Sequence, residues 1–473
     1  SSVAAHPKYS SVGEAFRRNA YQSSRDDEIL VKDEPIPLGN ERYKDMWPDS
    51  LWPNDIPHLP PVSFRARLGY NEILDRDSGD EPTSDFRYPM DFSLLSAGTL
   101  GEDISWYANM VLAGRGSHGA GGGHGGDEGD ETLEPDRERL FVQFSNLFAW
   151  SAEDDEDGMR LGHRWITLPR HALNLRVGQF EPLVIAPWAS IHRQLGTTPF
   201  LPNVATIGGN GFSFEPAQRG IELHGVIRQY NSYAIGLVNG NGAETAWDNN
   251  ARKDFYFRVA RKWWGYPLDG VIGASELLNP DTALSSDPGE DELAPIGLDF
   301  WRELQFETGF FGYFGRNAAS VTVEDEFEVV LDGGGTLELE VPRSITRPDS
   351  FERIGFDARL QCQDLDIFGA FVWGWDDDPI SDEEPDEIES DELFTWFLEA
   401  DYYFKPWLII YARYEELNYQ NEERQAEAGI KRAVLGTAAY IRTNMRLVGE
   451  FVIDGESNGT TADTFNALLD FAY

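Results

Sequence analysis

The chain ends in TADTFNALLDFAY, residues 461–473. Side chains of an extended strand alternate between its two faces. One face of this segment is therefore apolar and carries Phe465, Ala467, Leu469, Phe471 and Tyr473. The opposite face carries Asn466 and Asp470. Because the terminus of a soluble domain usually frays, an aromatic last residue on an apolar face indicates that a larger structure buries that face.

The amino-acid composition excludes several classes of protein. The 473 residues carry a formal net charge of -43, from 82 acidic and 39 basic residues. No stretch of about 18 apolar residues occurs, which excludes a transmembrane helix, and no basic patch is dense enough to bind nucleic acid. The single cysteine, Cys362, excludes an internal disulfide framework and a cysteine metal cluster. No signal peptide is visible, and Ser1 is compatible with a mature N-terminus from which one was removed.

The basic residues are mostly arginine, with 32 arginines and 7 lysines. Few lysines and many carboxylates predict a surface adapted to concentrated salt. The alternative is an ordinary acidic protein that its charge keeps soluble.

The alternation of the C-terminal segment recurs along the chain. It is clear in PVSFRARLGY (61–70), ERIGFDARLQC (352–362) and LFTWFLEADYYF (393–404). About 16 such segments of roughly ten residues occur, to within about two, and a single-chain bacterial barrel has an even number of strands. These segments predict an all-β fold, a transmembrane antiparallel β-barrel of about 16 strands with a non-barrel N-terminal segment.

A soluble β-protein also alternates, but with its apolar face inward, whereas a membrane barrel turns its apolar face to lipid. The predicted strands are long enough to cross a bilayer when tilted. Aromatic residues cluster at strand ends, as in KWWGYP (262–267), where interfacial girdles lie. Tight connections alternate with long acidic ones. We therefore predict a barrel in the bacterial outer membrane, in contact with outer-membrane lipid, whose last strand closes against its first.

Acidic residues concentrate between the predicted strands, in 126–138, 152–158, 285–292, 323–328 and 376–392. These stretches predict long acidic extracellular loops. The polar strand faces predict the following pore-lining residues: Arg65, Arg67, Arg176, Glu222, Arg228, Arg258, Lys262, Arg359, Glu399, Asp401, Arg446 and Glu450. The predicted lumen is mixed in charge and slightly basic, and lining residues set selectivity at close range. The alternative is that these arginines pair with acids across strands and have a structural role.

One motif has the composition of a metal site. The stretch GSHGAGGGHGGDEGDE (116–131) contains a single match to a calcium-binding glycine–aspartate repeat, and His118, His124, Asp127 and Asp130 are alternative ligands. A solvated glycine-rich loop explains the same stretch, so no metal site is predicted. No HExxH, nucleophile elbow or P-loop occurs, which predicts that the chain is not an enzyme. Cys362 falls on the apolar face of its strand, where it would face lipid.

Two stretches resemble a known family. They are HPKYSSVGEAFRRNAY (6–21) and LNLRVGQFEPLVIAPWASIHRQL (173–195), and they are similar to outer-membrane porins of the fused cytochrome–porin type. In that family a haem-binding CxxCH precedes the first stretch. This chain has no CxxCH, which excludes covalent c-type haem, and no cofactor is predicted in it. The resemblance implies haem only in a removed N-terminal segment or in a partner, a multihaem c-type cytochrome, and His6 is then a surface residue rather than an axial ligand.

The predicted organisation has two parts. Residues 1–60 form a periplasmic or plug segment, and residues 61–473 form the barrel. The connection near 182–217 is too long and apolar for an exposed loop, so we expect it to fold into the lumen and constrict it. The predicted function is a porin-like channel for passive diffusion of small hydrophilic solutes or ions. The alternatives are a sheath for a cytochrome electron conduit and a plugged surface protein whose acidic loops bind cations and partners. A homo-oligomer is compatible with this architecture, although no interface can be read from the sequence.

Overall fold

The computed structural model describes residues 62–73, 83–99, 104–114, 136–145, 147, 159–161, 164–166, 172–184, 196–197, 199, 201, 212–214, 217–240, 252–265, 268, 304–330, 336–362, 364–377, 390–405, 407–421, 429–442, 445–455 and 463–472. Within these ranges, sixteen strands form one closed antiparallel barrel and two more form a separate hairpin. The predicted N-terminal segment, the glycine-rich motif and Tyr473 lie outside the described residues.

The strands are β1 (Val62–Ile73), β2 (Thr83–Thr99), β3 (Ile104–Gly114), β4 (Asp136–Phe144), β5 (Met159–Leu161), β6 (Arg164–Ile166), β7 (Asn174–Phe180), β8 (Gln218–Ile227), β9 (Asn231–Val238), β10 (Asp254–Trp264), β11 (Gln305–Val330), β12 (Thr336–Cys362), β13 (Leu365–Asp376), β14 (Asp391–Lys405), β15 (Leu408–Tyr419), β16 (Ile430–Arg442), β17 (Met445–Gly455) and β18 (Thr464–Ala472). The separate hairpin is β5 and β6, and the other strands form the barrel.

The barrel closes through the first and last strands. Around it, β7 to β18 follow in chain order, β18 pairs with β1, and β2 to β4 lead back to β7. Leu68 of β1 lies opposite Leu469 of β18 in the ladder. Closure pairs the backbone groups of every barrel strand, which is what a sheet in lipid requires. The predicted fold class, strand number and closure are confirmed.

The outer surface of the barrel is apolar. In β17, Leu447, Phe451 and Ile453 are about half exposed, whereas the intervening Val448 and Glu450 are buried. Exposed and buried side chains alternate in the same way in β13, β14 and β15. A closed barrel with its apolar face outward buries that face in lipid. The chain is a bacterial outer-membrane β-barrel, as predicted.

The two ends of the barrel differ in their connections. Tight connections of two or three residues follow β8, β12, β14 and β16 at one end, which we call the tight-turn end. Strand β1 starts there and β18 ends there. Following the strands alternately up and down also places the connections 145–173 and 265–304 at this end. The acidic stretches 152–158 and 285–292 lie outside the described residues, so long acidic extracellular loops stay a prediction for them.

Strands β11 and β12 extend well beyond their neighbours at the other end. Strand β10 pairs with β11 only as far as Phe314, and β13 pairs with β12 only from Phe351. The two long strands continue to pair with each other up to Val330 and Thr336. Residues 318–347 thus include a two-stranded ribbon, and the acidic stretch 323–328 lies in a strand of it rather than between strands as predicted. Its 13 residues per strand (318–330) reach about 40 Å at about 3.3 Å per residue.

Candidate functional site

Ion pairs join neighbouring strands along the inward face of the barrel. Arg176 of β7 lies 3.1 Å from Glu222 of β8. Buried pairs among the described residues include Arg65–Asp470, Arg176–Glu222, Arg258–Asp357, Arg353–Asp376, Arg359–Asp366, Arg413–Glu399, Arg413–Glu415 and Arg446–Asp470. Cross-strand pairing was the structural alternative for the predicted lining arginines, and these contacts agree with it.

One of these pairs spans two strand spacings. Arg258 on β10 contacts Asp357 on β12, and Gly309 of β11 lies between them. A Cβ atom at Gly309 would overlap both the guanidinium and the carboxylate. Any side chain at this position would displace the ion pair, which passes directly over the backbone of β11.

The structure places most of the predicted lining residues on the inward face. Ten of them are buried there, namely Arg65, Arg176, Glu222, Arg258, Lys262, Arg359, Glu399, Asp401, Arg446 and Glu450. Arg67 is half-buried, 3.7 Å from Asp470. Arg228 is a wrong prediction, because β8 ends at Ile227 and Arg228 begins the following turn with φ 51° and an exposed side chain. The alternation was extended one residue past the end of the strand.

Acids outnumber bases on this wall. Among the described residues, the buried charged side chains comprise thirteen Asp or Glu and eight Lys or Arg. This count leaves out inward side chains that are half-buried, such as Arg67, so the slightly basic lumen stays a prediction. The prediction of lining residues missed buried acids that follow the same alternation: Asp254, Glu307, Asp349, Asp366, Asp376 and Asp391. It also omitted Arg353, which is fully buried against Asp376.

The connection between β7 and β8, residues 182–217, is called the crossing segment below. Near its start, the backbone N–H of Leu183 donates to Glu222 Oε2 on β8 at 2.8 Å. Fourteen residues later, the backbone N–H of Thr197 donates to both carboxylate oxygens of Glu450 on β17, each at 3.0 Å. Strands β8 and β17 are seven positions apart one way around the barrel of sixteen and nine the other way. The described residues of the crossing segment therefore contact opposite walls.

A second strand of the far wall also binds the crossing segment. Arg413 of β15 donates from Nη1 to the Thr197 carbonyl oxygen at 2.8 Å and from Nη2 to Thr197 Oγ1 at 3.1 Å. A side chain on the preceding residue, Gly196, would overlap the Glu450 carboxylate and the Tyr411 hydroxyl. The backbone of the segment thus fits closely against this wall, and glycine permits that approach.

The two carboxylates that receive the crossing segment are held in similar ways. Glu222 accepts a hydrogen bond from Tyr256 at 2.6 Å, and Glu450 accepts one from Tyr411 at 2.8 Å. Glu222 also pairs with Arg176. Buried carboxylates are stable only when their oxygens are satisfied by hydrogen bonds or ion pairs. Each anchor is therefore fixed by its own wall before the segment binds it.

The returning half of the crossing segment packs on an apolar wall. The ring of Phe212 lies 4.5 Å from that of Tyr313 on β11 and 4.5 Å from that of Phe351 on β12, between ring centres. Phe214 makes an edge contact with Phe311 at 6.1 Å. Leu201 and Val184 belong to the same buried cluster. Aromatic pairs of this geometry add to the free energy of apolar burial, so this side of the interior is a packed core.

A second inward cluster lies on β15 to β18. It consists of Ile409, Tyr411, Val434, Ala438, Val448, Val452 and Leu468, all of them buried. The lumen face of a water-filled barrel is normally polar. Two apolar clusters on the inward face therefore restrict the polar, wettable part of the described wall.

The described residues offer little for catalysis or metal binding. They contain no group of three or more His, Cys, Asp or Glu placed to hold a metal ion, and none of their helices is long and apolar enough to cross a membrane. His224 is buried on β8 and lies opposite Asn174 of β7 in the ladder. The other histidines lie outside the described residues. Cys362 is exposed at the end of β12.

Comparison with known proteins gives a likeness of fold at very low identity. No family model matches the chain, and the search of curated proteins found no match. An anion-selective porin from Comamonas acidovorans is 9% identical with a TM-score of 0.49, over 88% of this chain and 99% of that one. OprB of Pseudomonas putida is 10% identical with a TM-score of 0.49, over 87% and 94%. The outer membrane channel DcaP of Acinetobacter baumannii is 9% identical with a TM-score of 0.47, over 87% and 96%. These values are too low to transfer a function, and the resemblance to fused cytochrome–porin proteins stays a prediction.

Proposed function

We propose that this chain is an outer-membrane channel through which small hydrophilic solutes or ions diffuse passively, along a lumen narrowed by the crossing segment. The observation that carries the proposal is the pair of backbone contacts from Leu183 to Glu222 and from Thr197 to Glu450, on opposite walls. A segment held at both walls divides the cross-section of the barrel. Diffusion through the remaining polar part needs no catalytic group and no cofactor in this chain.

The mechanism follows from the unequal filling of the interior. On the side of β11 and β12, Phe212 and Phe214 pack against inward aromatic rings and exclude water. On the side of β1 and β18, Arg65, Arg67 and Arg446 surround Asp470. Hydrated solutes would follow this charged side, and its side chains would set selectivity over a few ångströms. The net negative charge of the whole chain would act on passing solutes mainly outside the narrowest point of the lumen.

The cytochrome-sheath alternative is less well supported. A conduit of haems needs the barrel axis free along its length, whereas the crossing segment contacts strands on opposite sides of the barrel, β8 and β17. The visible absorption spectrum of the protein, purified gently from native membranes, separates the two functions. A haem band that tracks the barrel through purification would favour the sheath and overturn the channel proposal.

Conductance in planar bilayers is the direct test of the channel. We would replace residues 185–214 by a short Gly-Ser linker, which removes both the Thr197 and the Phe212 contacts. The expected result is a severalfold rise in single-channel conductance. As a matched control, replacing 456–462, the connection between β17 and β18 at the same end, should leave conductance nearly unchanged. Equal conductance in all three proteins would contradict a constriction by the crossing segment.

A further inference from the structure

A groove runs along the outer surface of the barrel across β11 to β14. Its volume is about 590 Å³, and every residue that lines it is apolar or glycine. Ala358 and Gly369 form its floor, and Phe356, Phe371 and Leu398 are among its walls. The groove is a concave apolar site on the outward face of these strands.

The floor of the groove is fixed by the backbone. Ala358 of β12 lies opposite Gly369 of β13, and Gly369 lies opposite Leu398 of β14. A Cβ atom at Gly369 would lie 2.5 Å from the carbonyl oxygen of Phe397. Contacts below 3.0 Å with backbone are not tolerated, so the small residue at this position is a requirement of the sheet. The floor of the groove is therefore fixed by the sheet, whereas its walls are side chains such as Phe356, Phe371 and Leu398.

The groove lies at a depth where only hydrocarbon is present outside the barrel. Gly369 is the fifth residue of β13 counted from the tight-turn end, and the middle of a strand of about 9–11 residues that crosses a bilayer lies in its apolar core. A polar ligand cannot reach this depth without a large desolvation cost. The occupant must be an acyl chain or an apolar side chain of another protein.

Cations mark the same side of the barrel at the tight-turn end. Lys405, at the end of β14, is exposed, with Nζ 5.5 Å from the ring centre of Phe404. Leu398 and Lys405 are seven residues apart, about 23 Å along the strand at about 3.3 Å per residue. At the opposite end of these strands, the outward face carries carboxylates instead: Glu352, Glu392 and Glu416. A chain with 82 acids and 7 lysines thus places a lysine at the tight-turn end of this outward face.

We propose that the groove binds one acyl chain of a glycerophospholipid from the leaflet at the tight-turn end, with Lys405 holding the phosphate. The length of β14 between Leu398 and Lys405 matches the extent of an acyl chain with its glycerol. The apolar contact fixes the chain, and the ammonium group supplies the complementary charge to the phosphate. A second copy of the protein would also cover the groove, but it would not explain why Lys405 lies on the same outward face.

Native mass spectrometry of the protein in mild detergent tests the proposal. The variants are Ala358→Phe, which fills the groove, and Lys405→Gln, which removes the cation. Matched controls are Ala439→Phe and Lys431→Gln, on the neighbouring outward face of β16. Heat-modifiable migration on a gel verifies that each barrel is folded. We expect Ala358→Phe to lower the lipid-bound fraction by about tenfold and Lys405→Gln by about threefold, because the apolar contact outweighs one exposed charge contact.

Three outcomes would overturn the proposal. The lipid-bound fraction could be unchanged in Ala358→Phe. It could also fall equally in Ala439→Phe, which would show that the lipid binds the outer surface without preference for the groove. Ala358→Phe could also convert an oligomer to a monomer without loss of lipid, which would make the groove a subunit contact.

A second measurement uses the unmodified groove. Trp373 and Trp396 line it, so lipids brominated in mid-chain should quench wild-type fluorescence more than that of a Trp373→Phe, Trp396→Phe double variant. Equal quenching would contradict the proposal.

Discussion

Removal of the Glu450 carboxylate should release one end of the crossing segment. In the structure this carboxylate accepts hydrogen bonds from the Thr197 backbone at 3.0 Å, from Tyr411 at 2.8 Å and from Asn466 at 3.2 Å. Only the first of these holds the segment. A hydrogen bond to a charged group contributes about 1.5–3 kcal/mol, so Glu450→Ala should raise the population of the detached state by about 10-fold to 100-fold. Arg413 still donates two hydrogen bonds to Thr197, which prevents complete release.

Single-channel recording measures this population directly. Wild-type protein should stay almost entirely in one conductance level. Glu450→Ala should spend a measurable fraction of time in a second, larger level, and a Glu450→Ala, Arg413→Met double variant should spend most of its time there. The matched control is Asp454→Ala on the same strand, since Asp454 pairs with Arg432 and has no hydrogen bond to the described part of the segment. A folded Glu450→Ala barrel with wild-type conductance and no second level would refute the reasoning.

Three further predictions concern stability. Gly309→Ala should lower the free energy of unfolding in lipid vesicles by about 1–3 kcal/mol, because the added methyl overlaps the Arg258–Asp357 pair. The control is Gly449→Ala, which should change this free energy little, because the nearest atom to the added methyl is in the Phe465 ring at 4.0 Å. Equal urea midpoints for the two variants would contradict this prediction. Leu435 is 59% exposed in the middle of β16. Leu435→Arg should lower the free energy of unfolding by about 2–4 kcal/mol, because it places an arginine in lipid, whereas Leu435→Ala should lower it much less. A Leu435→Arg variant with nearly wild-type stability would argue against a lipid-facing surface at this position. The melting temperature should rise with NaCl as the repulsion within a chain of net charge -43 is screened, and a melting temperature independent of salt would count against salt adaptation.

The alternation of side chains was enough to predict the barrel and its closure. Leu68 and Leu469 could be placed on the lipid face of the first and last strands from their spacing alone, and the structure pairs them directly. An alternation with a period of two assigns each side chain to a face of the sheet, but it does not determine the register between neighbouring strands. For that reason Arg359 could be placed on the inward face, while its partner Asp366, 2.7 Å away across the β12–β13 turn, was missed.

The remaining differences have local causes. Arg228 was assigned to a strand because the alternation in β8 continues into the turn, and only its positive φ marks the boundary. The acidic stretch 323–328 was taken for a loop because of its charge, although Val321, Val323 and Phe327 keep the strand period. The apolar composition of 182–217 predicted an inward position, but the choice of Glu222 and Glu450 as anchors depends on walls that are far apart in sequence.

The ribbon of β11 and β12 has a mechanical consequence. Its two strands continue without a register shift from the tip, at Val330 and Thr336, into the barrel wall. There, Tyr313 and Phe351 hold Phe212 of the crossing segment. A load applied to the tip, about 40 Å from the rim at about 3.3 Å per residue, is carried along both strands as along a lever arm. Along these strands the load passes the hydrogen bond from the Arg316 backbone to Asp254 and reaches the aromatic contact that positions the crossing segment.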